Sequence, residues 1–281
     1  MRAKKGAATQ RGGPEGWVGA GAMQSAGWSG LLPAHRKDRV AGAGETGTAM
    51  KATYTISVVA YNNHALTRQC VESVLANSGD DFELILSDNG STDGSTDYFD
   101  ELAKHHPRVL VWPYSHNLGF IEPNRAAFRM AKGTYFVLLN NDCVVPPGWL
   151  EVLRAPFLTD SKCAITGATG GELREDGVGG LRGSTDYIEG HCMMVRTDFV
   201  RAVEPGLFHV ELSGAYAEDS YLSLQMREAG YTIHVTPIPG LLHHGGSTAC
   251  MVPQCAQWHA HNREVLTGRF GHYLKNRTFQ Q

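Results

Sequence analysis

Two polar, acidic turns stand out in the chain because each directly follows a mostly apolar run. Residues 140–142 (Asn-Asn-Asp) close the apolar residues 135–139, and residues 88–93 (Asp-Asn-Gly-Ser-Thr-Asp) follow the mostly apolar residues 82–87. Ligands of open α/β sheets lie at the carboxyl ends of the strands. Carboxylates at two such ends can hold a divalent cation and the polar part of a nucleotide. The pattern therefore predicts a ligand site shared by two strand ends.

Further reactive side chains lie in the last third of the chain. Glu218 and Asp219 are adjacent carboxylates at the predicted start of a helix, and His243 and His244 precede two glycines. Two carboxylates at a helix N-terminus complement the helix dipole, which is a purely structural explanation of the first pair. Glycines beside a histidine let a phosphate approach the backbone closely. The residues alone leave structural and functional explanations open.

Length and composition restrict the class of protein. The 281 residues, 42% of them hydrophobic, suffice for one large α/β domain or two small ones. A formal charge of −3 argues against broad electrostatic binding of nucleic acid. The 6 cysteines include no Cys-x-x-Cys pair, which favours a reduced, cytosolic setting. No apolar run approaches the roughly 20 residues that span a bilayer, so we expect a cytoplasmic protein with at most peripheral contact to the inner face of the membrane.

Residues 1–49 differ in composition from the rest of the chain. They are rich in glycine and alanine, carry scattered basic residues and show no sustained hydrophobic period. Such a segment cannot bury enough apolar surface to repay its ordering entropy. We therefore predict a disordered extension over residues 1–49 and a single folded domain over residues 50–281.

The folded part alternates strand and helix signals. Strands are predicted near residues 55–60, 82–87, 109–112 and 135–139, with helices over 66–76, 95–105 and 124–131 between them. This alternation predicts a mainly parallel sheet with right-handed crossovers. The second half is less regular, with candidate strands at 163–166, 187–196 and 231–235, a glycine-rich mobile loop over 167–183, and helices over 218–229 and 254–267.

Six short motifs in series resemble those of family 2 glycosyltransferases of the GT-A fold. They are residues 58–62 (Val-Val-Ala-Tyr-Asn), 88–93, 117–120 (Asn-Leu-Gly-Phe), 140–142, 218–219 and 243–246 (His-His-Gly-Gly). The resemblance extends over about residues 54–271. It implies an α/β protein with a mainly parallel, Rossmann-like sheet flanked by helices and a smaller acceptor-side region. It also implies a nucleotide-binding half over about residues 50–145 and an acceptor-binding half over about residues 146–281.

The same resemblance implies an activity. The chain would transfer a single sugar, with inversion and without processivity, from a nucleoside-diphosphate sugar to an acceptor hydroxyl, with Mn²⁺ or Mg²⁺ as cofactor. The acceptor would be a glycan, a lipid-linked compound or another hydroxyl compound, as in polysaccharide biosynthesis. No nucleic-acid partner is expected.

The motifs also imply roles for individual residues. Asp219 would be the catalytic base, with Glu218 beside it. Asp142 would ligate the metal together with His243, with His244 as the second choice. The resemblance assigns ten residues to the nucleotide sugar: Ala60, Tyr61, Asn62, Asp88, Asn89, Asn117, Gly119, Asn124, Asn140 and Asn141. It assigns Gly190 and His191 to the acceptor side.

Asp88 has two explanations in the sequence. The resemblance places it against the base and ribose of the nucleotide, and a carboxylate can accept the hydrogen bonds that these groups offer. The sequence Asp-Asn-Gly equally predicts an Asx-turn that ends the strand.

The chain departs from the family pattern at several positions. The metal-binding triplet usually carries two aspartates, whereas Asn140 occupies its first position and only Asp142 is ionised. Tyr221 and Gln225 stand where aspartate and arginine are frequent. These departures keep open a non-catalytic sugar-binding or scaffold protein on a GT-A fold. A nucleotidyltransferase is a second alternative, but residues 61–64 (Tyr-Asn-Asn-His) are not the glycine-rich basic loop that it needs.

Overall fold

The computed structural model describes residues 52–179, 185–245 and 252–279. The predicted disordered extension over residues 1–49 lies outside these residues. So do residues 246–251, which include the second glycine after the histidine pair, and residues 180–184 of the glycine-rich segment.

Strands and helices alternate through the first half of the described chain, as the sequence predicts. In order they are β1 (Tyr54–Ala60), α1 (His64–Asn77), β2 (Phe82–Asp88), α2 (Ser95–His105), β3 (Val109–Pro113), α3 (Ile121–Met130) and β4 (Tyr135–Asn140). The second half contains β5 (Cys143–Val144), α4 (Trp149–Thr159), β6 (Cys163–Gly167), β7 (Gly170–Gly171), β8 (Tyr187–Ile188), β9 (Cys192–Arg196), α5 (Thr197–Ala202), α6 (Glu218–Glu228), β10 (Thr232–Val235), β11 (Leu242–His243) and α7 (Cys255–Asn276).

A seven-stranded sheet in the order β10-β6-β9-β4-β1-β2-β3 forms the centre of the fold. Its neighbouring strands are parallel except where β9 pairs with β4 and β6. This confirms the predicted mainly parallel sheet. The carboxyl ends of β1, β2 and β4 consequently lie along one edge, where the polar turns of the sequence follow them.

Helices cover both faces of this sheet, so nearly all residues of its central strands are buried. Leu84 and Leu86 of β2 belong to one buried cluster, and Ile85 between them belongs to the other. Successive side chains of a strand point to opposite faces, which explains this division. Phe99 of α2 packs in the first cluster, and Phe270 of α7 packs in the second.

Three sequence predictions for the second half need correction. The strand predicted over residues 187–196 is two strands, because β8 pairs with β7 whereas β9 joins the main sheet. The predicted mobile loop over 167–183 contains β7 and a bridge between Leu173 and Gly179 within its described part. Helix α7 continues to Asn276 because its buried face extends beyond residue 267, through Tyr273.

Among the helices of the described ranges, none is both long enough and apolar enough to cross a membrane.

Candidate active site

A cavity of about 580 Å³ opens at the carboxyl ends of β1 and β4. Its opposite wall is formed by residues 177–179, by residues 215–220 and by the first turn of α7. All six sequence motifs contribute to it. The predicted site residues that line it are Tyr61, Asn89, Asn117, Gly119, Asn140, Asn141, Asp142, Gly190, His191, Glu218, Asp219 and His243. Positions far apart in the sequence thus face one space.

Asp142 and His243 form the part of this cavity that can hold a metal. Strand β11 pairs with β5 in antiparallel register, which places His243 opposite Cys143 and beside the buried Asp142. The Nε2 atom of His243 lies 3.4 Å from Oδ1 of Asp142. His244, by contrast, donates its backbone N–H to the Asp142 carbonyl at 3.1 Å. The geometry favours His243 over His244 as a ligand.

The donor set fits a hard or borderline divalent cation. Asp142, Cys143 and His243 offer ligand atoms that lie within 4.8 Å of one another. Burial raises the pKa of the Cys143 thiol well above its usual range, and its sulfur donates to the His191 carbonyl at 3.4 Å. A protonated thiol is a poor ligand for Mn²⁺ or Mg²⁺, whereas carboxylate and imidazole suit Mn²⁺ and carboxylate suits Mg²⁺. Asp142 and His243 are therefore the residues that fit the expected metal.

Glu218 is buried and Asp219 is half-buried at the start of α6, and both border the same cavity. Asp219 accepts hydrogen bonds from the backbone N–H groups of Gly190 and Ser220, at 3.0 and 2.6 Å. Oε2 of Glu218 has no hydrogen-bond partner among the described residues. Burial raises the pKa of both carboxyl groups, and the charge of Asp219 raises that of Glu218 further. Backbone N–H groups donate to both oxygens of the Asp219 carboxylate, whereas Oε2 of Glu218 has no such donor in the described part of the chain, so Asp219 is the better candidate for the ionised member of the pair.

A strained loop places this acidic pair. Tyr216 and Ala217 have φ angles of 75° and 60°, a region that non-glycine residues rarely adopt. The fully buried Asn262 of α7 donates to the carbonyl groups of Ser213, Ala215 and Tyr216 at 2.8 to 3.0 Å. Backbone strain persists only where surrounding contacts impose it. Asn262 supplies such contacts from the helix behind the loop.

Asn89 and Asn117 build the side of the cavity next to the end of β2. Asn89 donates to Oδ1 of Asn117 and to the carbonyl of Gly119, both at 2.8 Å. Gly119 has a φ of 81°, and a Cβ atom there would lie 2.4 Å from the Cα atom of Gly214. Only glycine permits this close approach, which joins the loop after β3 to the loop before α6.

Four residues predicted to bind the nucleotide sugar do not line the cavity. Asp88 makes local contacts after β2, since its carboxylate accepts hydrogen bonds from the Ser91 N–H and the Thr96 hydroxyl, although the first lies three residues on and not two as in the predicted Asx-turn. Ala60 is fully buried in the core cluster of α1 and α2. Its carbonyl group accepts the Asn89 N–H at 2.8 Å.

The remaining two have local structural roles. Asn62 has a φ of 53° and accepts the Thr92 N–H at 2.9 Å, which fixes the turn after β1. Asn124 is completely buried, accepts the Ser57 hydroxyl at 2.7 Å and donates to the Phe120 carbonyl at 2.9 Å. Both positions support the wall of the cavity from behind.

Two of the departures from the family pattern lie outside the main cavity. Tyr221 and Gln225 border a second, smaller cavity of about 220 Å³ and not the main one. Tyr221 packs against His209, and Gln225 donates to the Gly206 carbonyl at 3.2 Å. Neither residue therefore alters the groups that face the main cavity.

Sequence reasoning missed several residues of the site. Trp258 borders the cavity at the start of α7 and lies so close to Gly214 that a Cβ atom there would approach its ring to 1.9 Å. Tyr216 and His259 also line the cavity and pack with ring centroids 5.1 Å apart. Asn262 carries no signal in the sequence.

Comparison with known proteins supports this picture. The family model described as glycosyl transferase family 2 matches residues 55–199. A chondroitin synthase of Pasteurella multocida is 30% identical over 123 residues, which is 44% of this chain and 13% of that protein. The glycosyltransferase GlyG of Streptococcus pneumoniae is 29% identical over 104 residues, or 37% of this chain and 35% of that protein. This chain thus spans well under half the length of these two relatives.

Solved structures show the same fold at low sequence identity. GalNAc-T7 with UDP, GalNAc and Mn²⁺ matches 79% of this chain and 50% of its own, with a TM-score of 0.64 and 16% identity. The mannosyltransferase PcManGT of Pyrobaculum calidifontis with GDP-Man and Mn²⁺ matches 68% of this chain and 56% of its own, with a TM-score of 0.54 and 17% identity. The family match extends over more than half of the chain, and the sheet agrees with these neighbours. The chain therefore belongs to glycosyl transferase family 2 and adopts the GT-A fold of glycosyltransferase enzymes.

Proposed function

We propose that the protein is a metal-dependent, inverting glycosyltransferase that moves a single sugar from a nucleoside-diphosphate sugar to an acceptor hydroxyl. The observation that carries this proposal is that two polar pairs border one cavity. One is Asp142 with His243, whose ligand atoms converge, and the other is the acidic pair of Glu218 and Asp219. A sugar donor between them would have its diphosphate at the first pair and its anomeric carbon toward the second.

The diphosphate end of the donor would lie at the strand ends. Asp142 and His243 would hold Mn²⁺ or Mg²⁺, which supplies neutralisation of the charge that develops on the leaving diphosphate. One protein carboxylate suffices for such a site, because phosphate oxygens and waters complete the ligand set. The nucleoside would lie along Tyr61, Asn89 and Asn117. The bound ions and nucleotides of GalNAc-T7 and PcManGT support this class of donor.

The proton transfer would take place at the opposite wall. Asp219 would take the proton of the acceptor hydroxyl as its oxygen attacks the anomeric carbon and the bond from that carbon to the diphosphate breaks. A single displacement of this kind inverts the configuration. Burial and the charge of Asp219 raise the pKa of Glu218, which favours a neutral Glu218 beside an ionised Asp219 in the proposed reaction.

The acceptor would enter between Asp219 and the start of α7. Tyr216, Trp258 and His259 line this side and offer aromatic faces on which a sugar ring can pack. An acceptor that is a glycan, free or lipid-linked, is consistent with this surface and with the chondroitin synthase relative. A cytoplasmic location, peripheral to the membrane at most, stays a prediction.

The proposal is tested by measuring sugar transfer and donor hydrolysis with a panel of UDP and GDP sugars, with Mn²⁺ or with a chelator. We expect turnover with at least one donor, dependent on the metal and lost in Asp219→Asn. A donor that binds without hydrolysis or transfer under any condition would favour the non-catalytic sugar-binding alternative. Release of pyrophosphate from a nucleoside triphosphate and a sugar phosphate would favour the nucleotidyltransferase.

A further inference from the structure

We infer that His191 is a positioning residue for the metal site, because its ring holds the ring of His243 in the orientation that metal binding needs. This inference rests on the proposed function, since it assumes that His243 is a metal ligand. The sequence assigns His191 only to the acceptor side. The structure adds a contact that no sequence motif indicates.

The contact is a close, parallel stack of two imidazole rings. The ring centroids of His191 and His243 are 4.2 Å apart, and the ring planes differ by 6°. One face of the His243 ring is therefore covered, and its tilt about the side-chain bonds is restricted. Its Nε2 atom points to within 3.4 Å of Asp142 Oδ1 in this orientation. The stack thus selects the ring position in which both ligand atoms converge.

His191 is fixed much more firmly than His243. Its backbone carbonyl accepts the Asn140 N–H at 2.9 Å and the Cys143 thiol at 3.4 Å, and its side chain is 7% exposed. Its Nδ1 atom lies 3.4 Å from Oε2 of Glu189, and that oxygen accepts the Thr169 hydroxyl at 2.6 Å. These contacts anchor His191 to the main sheet and, through Glu189, to Thr169 between β6 and β7.

His243 has fewer constraints of its own. It ends the two-residue strand β11, which pairs with the two-residue strand β5, and its side chain is 29% exposed. A ligand on so short a strand loses orientational entropy when it binds a metal unless neighbouring groups hold it beforehand. Groups that orient a metal ligand typically account for tenfold to hundredfold of metal affinity. The anchored ring of His191 is placed to provide this preorganisation.

The segment that carries His191 also reaches the proposed base. The N–H of Gly190 donates to Oδ2 of Asp219 at 3.0 Å. Two consecutive residues of one turn therefore contact a metal ligand and the base. Their connection sets the separation between the two ends of the donor site.

The test measures Mn²⁺ binding without any acceptor, so a role of His191 in acceptor binding does not affect the result. Free Mn²⁺ is followed by electron paramagnetic resonance in titrations of the full chain, first alone and then with a mixture of UDP and GDP. His191→Ala removes the stack, and His191→Phe retains a flat ring in its place. Thermal unfolding of each variant without metal serves as the check on folding.

We expect His191→Ala to weaken Mn²⁺ binding about tenfold and His191→Phe to bind nearly as well as the wild type. In metal-free protein, the ring proton signals of His243 should move in the alanine variant and change less in the phenylalanine variant. Equal Mn²⁺ binding by wild type and His191→Ala would overturn the inference. A phenylalanine variant as weak as the alanine variant would also overturn it, because a nitrogen atom and not the stack would then be required.

Two further outcomes are distinguishable. If wild type binds no Mn²⁺ with either nucleotide, the proposed metal dependence fails and this inference fails with it. If His191→Ala does not fold, Glu189→Gln carries the test, because it loosens the anchor of His191 and leaves both imidazoles present. That variant should weaken Mn²⁺ binding by a smaller factor, and unchanged binding would contradict the inference.

Discussion

The two sides of the cavity are built in different ways. On the side of the strand ends, regular parallel strands deliver Asn89 and Asp142 at the points where the strands stop. On the opposite side, Asp219 depends on a strained loop, on the turn that contains Gly190 and on the buried Asn262 of a distant helix. The strand-end side is therefore held by the sheet itself, whereas the acid-pair side is held by a few specific polar contacts. Substitutions in supporting residues should consequently affect the two sides differently.

The largest expected effect separates chemistry on the acid-pair side from binding at the strand ends. Asp219→Asn keeps the shape of the side chain but removes its basicity. We expect the turnover number to fall by about 10²-fold or more while donor binding stays nearly unchanged. Steady-state kinetics and calorimetric donor binding measure the two quantities. Near-normal turnover would place the base elsewhere, with Glu218 as the first residue to examine.

The second prediction affects the strand-end side alone. Asp142→Ala removes the only carboxylate of its triplet, so nucleoside-diphosphate binding should lose most of its dependence on Mn²⁺. Calorimetry of UDP or GDP with and without Mn²⁺ measures this dependence. Asp93→Ala is a matched control, because Asp93 follows β2, which ends at the same edge of the sheet, but does not line the cavity. Equal metal dependence in wild type and Asp142→Ala would remove Asp142 from the metal site.

The third prediction tests the supporting contacts of the acid-pair side. Asn262→Ala leaves the carbonyl groups of Ser213, Ala215 and Tyr216 without their side-chain donor. We expect a loss of about 3 kcal/mol in the free energy of unfolding, measured by chemical denaturation, and a lower turnover number. Asn276→Ala is the control from the same helix, since within the described part of the chain its side chain bonds only to His272, one turn earlier.

Asn124→Ala sharpens the same comparison from the strand-end side. Asn124 is as completely buried as Asn262 and makes two hydrogen bonds, to Ser57 and Phe120. The Asn124→Ala variant should lose a similar free energy of unfolding. Its turnover number and its donor affinity should both stay closer to the wild-type values than those of Asn262→Ala. If both variants change catalysis equally, the two sides of the cavity do not differ in the way described above.

The smallest expected effect concerns the pH dependence of stability. Burial and the charge of Asp219 raise the pKa of Glu218 in the folded protein. A raised pKa means that the folded state favours the protonated form, so this contribution to stability is present below the pKa of the unfolded chain and is lost as pH rises through the folded value. Glu218→Gln should therefore be stabilised relative to wild type at about pH 9 more than at about pH 5. Melting temperatures of both proteins between these pH values measure the difference. A stabilisation of Glu218→Gln that is larger at about pH 5 than at about pH 9 would show that the folded protein favours the ionised form of Glu218.

The difference between the two sides also explains how far the sequence could predict them. The strands that carry Asn89 and Asp142 have clear hydrophobic patterns and end in polar turns, so their common edge follows from the alternation of strands and helices. Asp88 shows the limit of this reasoning, because both its local turn and its expected ligand contact fit the same residues. The carboxylate of Asp88 bonds to Ser91, and Asn89 lines the cavity.

The supporting residues of the acid-pair side leave no such pattern. Asn262 lies in a helix as one polar residue among several, and its partners are backbone atoms about 46 to 49 positions earlier. The stack of His191 on His243 joins a turn before β9 to the two-residue strand β11, and neither is long enough to carry a period. Contacts of this kind arise from tertiary packing, which local propensity does not encode.

The most direct test of the account is a crystal structure with Mn²⁺ and either UDP or GDP, with data collected at the manganese absorption edge. We predict an anomalous peak in contact with Asp142 and His243, with the diphosphate beside it and the acid pair of Glu218 and Asp219 across the cavity. Bound nucleotide with manganese at other residues, or with none at these two, would contradict the central claim that this cavity is a metal-dependent donor site.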